Sequence, residues 1–207
     1  MNTWLLLPVR GLSEGKTRLA RALDVPTRTR LNEALFRRTL AIGAALFPPS
    51  RILVVSRDTA VRTIATDLGF ATLEESDGAG LNGALTEAAA FARDAGADAV
   101  LSLASDLPRL TTDDLAALLD LRRSHGVAIA PDEPSEGTNA LLLARPGVIA
   151  YRYGIGSFAA HTGLARAAGI EPAILHRPGL SFDLDTEAEF GSLGASELAA
   201  LGIAAPR

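Results

Sequence analysis

The chain has 207 residues, of which 48% are hydrophobic and 21% charged, and its formal net charge is −4. This composition supplies a large apolar core and argues against disorder, while the lack of a basic stripe argues against a nucleic-acid partner. Cysteine is absent, which excludes disulfides, thiolate catalysis and cysteine-bound zinc.

No run approaches the roughly 20 apolar residues that span a bilayer. The short apolar stretch at residues 4–9 also lacks the features of a signal peptide. We therefore expect a single cytoplasmic domain over residues 1–207, with no membrane partner.

Strand-like and helix-like segments alternate along the chain. Strands are predicted over residues 3–9, 51–56, 70–73, 99–104, 127–130, 140–144, 171–175 and 181–186. Helices are predicted over residues 17–23, 27–47, 59–68, 82–94, 113–124, 158–168 and 187–201. Strands joined by helices of this length indicate an α/β fold with a mostly parallel sheet flanked by helices. The strand-rich second half allows a small antiparallel pair.

Three aspartates follow or lie in predicted strands. Residues i and i+2 of a strand face the same side, so Asp183 and Asp185 place two like charges together. A divalent cation is the usual reason for such an arrangement, because it turns repulsion into coordination. Asp106 follows strand 99–104, and open sheets bind ligands beyond the carboxyl ends of their strands. We predict that these three aspartates bind Mg²⁺ that holds phosphates, although Asp106 also suits a turn.

The loop after the first strand, Gly11–Thr17, has features of a phosphate-binding P-loop. Three residues separate its glycines where the motif requires four, and Arg10 stands where the first glycine should be, so a true P-loop is disfavoured. Basic side chains beside a helix start still favour anions. We predict triphosphate contacts from Arg10, Lys16 and Arg18, with a solvated basic turn as the alternative.

Other polar residues have two interpretations each. Asn82, in the glycine-rich segment 78–83, either caps a helix or reads the edge of a nucleotide base with its amide. Asp132 is either an additional acid of the site or a turn residue. His161 lies one turn into a predicted helix, where a packing or surface role is more common than contact with an anion.

Two further loops suit a small carboxylate or phosphate acid. The segment 136–139 combines backbone freedom with the Thr138 hydroxyl. The segment 154–157 leads into a helix, so N–H groups after Gly154 are free to bind an anion. Ser157 in the same segment is a natural helix cap, which is its alternative role.

Motifs in a fixed order along nearly the whole chain resemble the guanylyltransferases of coenzyme F-420 biosynthesis, the 2-phospho-L-lactate guanylyltransferase family. Each motif is weak alone, and the specificity comes from their order. The motifs are Pro8–Arg10, Lys16–Leu19, Gly80–Asn82, Ser105–Pro108, Ala130–Asp132, Gly137–Leu141, Gly154–Phe158 with His161, and Asp183–Thr186.

The resemblance implies a nucleotidyltransferase-like fold, GTP and Mg²⁺ as reactants, and pyrophosphate as a product. The residues that it assigns to metal binding are Asp106, Asp183 and Asp185. The residues that it assigns to the phosphorylated acid are Thr138, Gly154 and Ser157. In such a reaction the acid's phosphate attacks the α-phosphorus of GTP. Lys16 and Arg18 would then stabilise the departing pyrophosphate, which makes them the predicted catalytic residues together with Asp106.

Two positions depart from the family pattern. Arg10 stands where lysine is usual, and Tyr153 replaces a common phenylalanine. Family members prefer 2-phospho-L-lactate, phosphoenolpyruvate or 3-phosphoglycerate, and the sequence leaves the acceptor open. It also leaves open the oligomeric state, with a homodimer as one option.

Three other functions remain as alternatives to this reading. One is a molybdopterin or sugar nucleotidyltransferase, which Pro8–Arg10 disfavours because it replaces a glycine-rich signature. The others are a P-loop ATPase or kinase and a non-catalytic nucleotide-binding module.

Overall fold

The structure is a computed structural model that describes residues 2–203. In this part of the chain, seven strands form one sheet of order β3-β2-β1-β4-β6-β5-β7. The strands are β1 (Thr3–Pro8), β2 (Ile52–Val55), β3 (Ala71–Leu73), β4 (Ala99–Leu103), β5 (Val127–Pro131), β6 (Thr138–Leu143) and β7 (Ala173–Ile174). The five central strands are almost fully buried, as expected where helices cover both faces of a sheet.

Helices connect most of the strands. They are α1 (Val25–Ala44), α2 (Thr59–Asp67), α3 (Gly80–Asp94), α4 (Thr112–Asp120), α5 (Ser157–Ala167), α6 (Pro178–Ser181), α7 (Glu187–Gly191) and α8 (Ala195–Ala200). Short 3₁₀ helices cover Thr17–Leu19, Pro49–Arg51 and Leu121–Arg123. Among the helices described here, none is both long and apolar enough to cross a membrane.

The strand pairing confirms the mostly parallel sheet. β1 pairs in parallel with β2 and β4, β2 with β3, and β5 with β7. β6 runs antiparallel to both of its neighbours, β4 and β5. The connection from β5 to β6, residues 132–137, is too short for the crossover that a parallel pair needs. The start of β6 therefore lies at the same edge of the sheet as the carboxyl ends of β1, β4 and β5.

The apolar residues form three buried clusters. Successive side chains of β1 point to opposite faces of the sheet. Leu5 packs in the cluster under α1, and Leu6 packs in the cluster under α3. The third cluster joins α7 and α8 to α1 and includes Phe182 and Leu184. This third cluster fixes the chain segment that carries Asp183 and its neighbours.

Three predicted elements differ in the structure. Residues 181–186 form no strand, because α6 ends at Ser181 and the next backbone N–H groups bond to Asp106 O and to Glu189 instead of to a sheet neighbour. The final helix is two helices that are separated at Gly194, which caps α8. The helix over 17–23 is only a 3₁₀ turn, since a new helix begins after the Asp24 cap.

Candidate active site

A cleft of about 1020 Å³ opens beyond the carboxyl ends of β1 and β4. This is where ligands bind in open α/β sheets. Its walls come from the segments at residues 8–18, 80–84, 103–106, 132–138 and 153–156, together with Asp185. Widely separated parts of the chain therefore meet in one concave surface.

The loop after β1, residues 9–16, is fixed by hydrogen bonds to other segments and by hydrogen bonds within itself. Asn32 Nδ2 donates to Leu12 O at 2.7 Å, and Asp58 Oδ2 accepts from Leu12 N at 3.0 Å. The N–H groups of Glu14 and Gly15 both donate to Gly11 O, at 2.9 and 3.3 Å. These amides are therefore not free to ring a phosphate, which agrees with the sequence argument against a P-loop.

Lys16 extends from this loop into a group of acids. Its Nζ lies 3.3 Å from Asp106 Oδ2 and 3.7 Å from Asp185 Oδ1, and its side chain is only 4% exposed. It also donates to the Leu184 carbonyl. The Lys16 backbone has φ 56°, an uncommon conformation for a side-chain-bearing residue. The ammonium group is thus placed among the predicted metal ligands.

Asn139 positions the segment that carries Asp183, a role that the sequence did not indicate. Its Nδ2 donates to Leu180 O at 3.0 Å and lies 3.4 Å from Asp183 Oδ1. Leu184 N donates to Asp106 O at 3.1 Å. The only signal in the sequence was an amide beside Thr138 at the start of an apolar strand.

The acids carry more negative charge than their surroundings neutralise. Burial, and next the charge of Asp106, raise the pKa of Asp183 from its ordinary 3.8 to about 6. Burial and Asp106 also raise the pKa of Asp185, against the opposing charges of Lys16 and Arg18. Such a group gains stability from a bound cation.

The donor set suits Mg²⁺, because carboxylate oxygens are the ligands that this ion prefers. Within residues 2–203, however, no three acidic or histidine side chains are already arranged as a metal cage. The Lys16 ammonium lies between Asp106 and Asp185 instead. Magnesium binding by Asp106, Asp183 and Asp185 therefore stays a prediction that the chemistry of the donors supports.

The two loops that are predicted to bind the acid contain left-handed glycines and a turn. Gly154 and Gly156 have φ values of 127° and 71°. Gly156 is the residue that precedes α5, so Ser157 is the first helical residue rather than the predicted N-cap. Asp132 accepts hydrogen bonds from Glu136 N and Gly137 N, both at 2.8 Å. Asp132 thus organises its turn while it also lines the cleft.

Asn82 contacts the protein backbone in this structure. Its Oδ1 accepts from Tyr153 N at 2.7 Å and its Nδ2 donates to Tyr153 O at 3.1 Å. The Tyr153 hydroxyl bonds to Ser102 Oγ at 2.7 Å. Asn82 therefore ties the segment at residues 153–156 to α3, and base recognition by its amide stays a prediction.

The cleft brings together most of the predicted site residues. Those that line it are Arg10, Lys16, Arg18, Asp106, Thr138, Gly154 and Asp185. Asn82, Ser157 and Asp183 do not line it. Asn82 bonds to Tyr153 of the wall, Ser157 follows Gly156, and Asp183 lies two residues before Asp185. The residues selected from the sequence are thus close together in space.

Replacing Gly179 with alanine is expected to destabilise the protein. A Cβ there would lie 2.0 Å from Asp114 Oδ2 and 2.8 Å from Arg109 O. We expect a loss of about 2 kcal/mol in the free energy of unfolding, measured by urea denaturation. Gly163→Ala, on the exposed side of α5 with nothing within 4 Å of the new Cβ, is the matched control. Equal stability of the two variants would contradict the packing of α6 on Asp114.

Similar solved structures identify the fold. A protein from Desulfovibrio desulfuricans G20, assigned as a nucleotide-diphospho-sugar transferase, superposes with a TM-score of 0.77 at 19% identity, over 98% of this chain and 95% of that one. A nucleotidyl transferase from Methanothermobacter thermautotrophicus gives 0.62 at 16% identity, over 96% and 98%. The fold is therefore that of the nucleotidyltransferases, as predicted.

Sequence comparison gives the family. The profile described as "Guanylyl transferase CofC like" matches residues 3–195. A phosphoenolpyruvate guanylyltransferase from Rubrobacter xylanophilus is 40% identical over 199 residues, 95% of each chain. A 2-phospho-L-lactate guanylyltransferase from Methanothermobacter thermautotrophicus is 34% identical over 193 residues, 93% of this chain and 84% of that one. The chain belongs to the CofC-like guanylyl transferase family, which confirms the resemblance seen in its motifs.

Proposed function

We propose that this protein transfers GMP from GTP to the phosphate of a small phosphorylated three-carbon acid in coenzyme F-420 biosynthesis. The acid is 2-phospho-L-lactate, phosphoenolpyruvate or 3-phosphoglycerate, and pyrophosphate is the second product. The main support is the family match over residues 3–195. The cleft adds a separate argument, because basic residues from the loop after β1 and acids from two other segments line one concave surface.

The reaction is a displacement at phosphorus. An oxygen of the acid's phosphate forms a bond to the α-phosphorus of GTP, and the bond to the bridging oxygen breaks, with its electron pair leaving on pyrophosphate. A phosphate monoester has its second pKa near 6, so the nucleophile is largely dianionic at neutral pH. No general base is needed. His161, which contacts Thr138, is fully buried, and the proposed reaction assigns it no role as a base.

The protein's contribution is positioning and charge. Lys16 and Arg18 would stabilise the negative charge that develops on pyrophosphate, and both line the cleft together with Arg10. The loops at 136–138 and 154–156, which also line the cleft, would hold the acid. The cleft excludes water from part of each substrate, which strengthens these charge interactions.

Magnesium is part of this proposal. Asp106, Asp183 and Asp185 would hold it, since their oxygens suit the ion and their mutual repulsion favours a cation. When bound, Mg²⁺ neutralises phosphate charge on both substrates. Besides the ion, Lys16, Arg10 and Arg18 supply positive charge to the cleft.

The function is tested by mixing the purified protein with Mg²⁺, one nucleoside triphosphate and one acid, and measuring pyrophosphate and the mass of the product. We expect release with GTP and at least one of the three acids, and much less with CTP or UTP. Phosphoenolpyruvate is the first acid to test, because the relative at 40% identity is named for it. No release with any acid, or GTP hydrolysis that needs no acid, would overturn the proposal.

A further inference from the structure

A buried histidine lies behind the wall of the cleft that faces the acid. His161, on α5, is 0% exposed and does not line the cleft. Its ring packs edge-on against Tyr153, with 4.9 Å between the ring centroids. Its two ring nitrogens contact Thr138 and the backbone of Arg152. None of the steps proposed above uses this side chain.

The hydrogen bonds of His161 determine which ring nitrogen carries the proton. The Arg152 backbone N–H can only donate, and it points at Nε2 from 2.9 Å, so Nε2 accepts. Burial lowers the pKa of His161 to about 4, so the ring is neutral at physiological pH. A neutral ring with a bare Nε2 carries its proton on Nδ1, which lies 3.0 Å from Thr138 Oγ1. Nδ1 therefore donates to the threonine hydroxyl.

This contact decides what the Thr138 hydroxyl offers to a ligand. A hydroxyl has one hydrogen to donate and two lone pairs that accept. Because the histidine N–H occupies a lone pair, the hydroxyl hydrogen is directed to another acceptor. Oγ1 has no second hydrogen-bond partner among residues 2–203, and Thr138 lines the cleft. The hydrogen is thus available to an anionic oxygen in the cleft.

We propose that His161 is a positioning residue that holds the Thr138 hydroxyl as a hydrogen-bond donor toward an anionic oxygen of the acceptor acid. The inference rests on the proposed function, because it deepens the acid-binding site. In place of His161, a residue that accepts from Thr138 would turn the hydroxyl lone pairs toward the anion and repel it. A hydrogen bond to a charged oxygen is worth about tenfold or more in affinity.

The first test compares the KM of the acid, the KM of GTP and kcat in matched variants. Thr138→Val removes the hydroxyl and is expected to raise the acid KM about tenfold, while Thr138→Ser stays close to wild type. His161→Asn keeps an amide N–H near the Nδ1 position and also stays close. His161→Gln places its amide near Nε2, loses the donor to Thr138 and raises the acid KM about fivefold. The KM of GTP is unchanged throughout.

The double variant separates this role from a structural one. If His161 acts through the Thr138 hydroxyl, His161→Gln raises the acid KM no further once Thr138→Val is present. A structural role would instead raise both KM values or lower kcat in either background. An unchanged acid KM in His161→Gln, or an additive effect in the double variant, would overturn the inference.

The tautomer can be measured without turnover. Nitrogen-15 NMR of the imidazoles in wild-type protein at neutral pH should show His161, assigned by through-bond correlation to its own backbone, as a neutral ring with a protonated Nδ1 and a bare Nε2. A proton on Nε2 would overturn the inference even if the variants fail to fold. If the wild type transfers GMP to no acid, the proposed function fails, and this spectrum still decides the geometry on its own.

Discussion

Replacing Lys16 with methionine is expected to lower turnover by about a hundredfold to a thousandfold, since it removes a positive charge from the proposed site of the leaving pyrophosphate. The metal-free protein should also lose about 2 kcal/mol of stability. The ammonium lies 3.3 Å from Asp106 and 3.7 Å from Asp185, and without it two partly buried carboxylates repel each other. Turnover is measured as pyrophosphate release, and stability by urea denaturation in the presence of a chelator.

Added Mg²⁺ should stabilise Lys16→Met more than wild type, because the ion takes over the missing positive charge. The double variant with Asp185→Asn should recover stability but not turnover. Arg37→Met is the matched control, because Arg37 pairs with Glu33 at 2.8 Å on an exposed helix face, where such pairs contribute little. If Lys16→Met were as stable as wild type without metal, the Lys16 ammonium would not neutralise the negative charge of Asp106 and Asp185.

Replacing Asp183 with asparagine is expected to lower turnover by about a thousandfold while the fold is kept. If Asp183 binds the proposed metal ion, its loss removes several kcal/mol of charge stabilisation, and each 1.36 kcal/mol is about tenfold in rate. Asparagine has nearly the same shape and can still bond to Asn139. Pyrophosphate release and calorimetric titration with Mg²⁺ would measure the loss. Asp113→Asn, at an exposed position of α4, is the control.

The same variant has an expected pH signature in the metal-free protein. The pKa of Asp183 is about 6 in the folded protein and near 3.8 when unfolded, so the native state binds this proton more tightly. Protonated Asp183 therefore adds to the free energy of unfolding of the wild type. This contribution is fully present below pH 3.8 and is lost as pH rises through about 6. Asp183→Asn should therefore be at least as stable as wild type at pH 7. The difference between their free energies of unfolding should become smaller toward pH 4. A variant less stable than wild type at pH 7 would contradict the assigned burial and repulsion.

Local features of the sequence were enough to predict much of the fold. The capping boxes of Thr111 with Asp114 and of Thr186 with Glu189 are formed as the residue types require. The apolar runs became central strands because they can be covered on both faces. The predicted strand at 181–186 was wrong because alternation of apolar and polar residues also fits an extended segment with no neighbouring strand.

Local spacing and residue chemistry were enough to predict the α/β alternation, the family and most of the residues that surround the cleft. Which of those residues touch one another depends on the packing of the whole fold. Lys16 contacts Leu184, 168 positions away, and Asn82 contacts Tyr153, 71 positions away. Such contacts depend on how the helices and the sheet pack and on the reversed direction of β6. No local pattern in the chain encodes these distances.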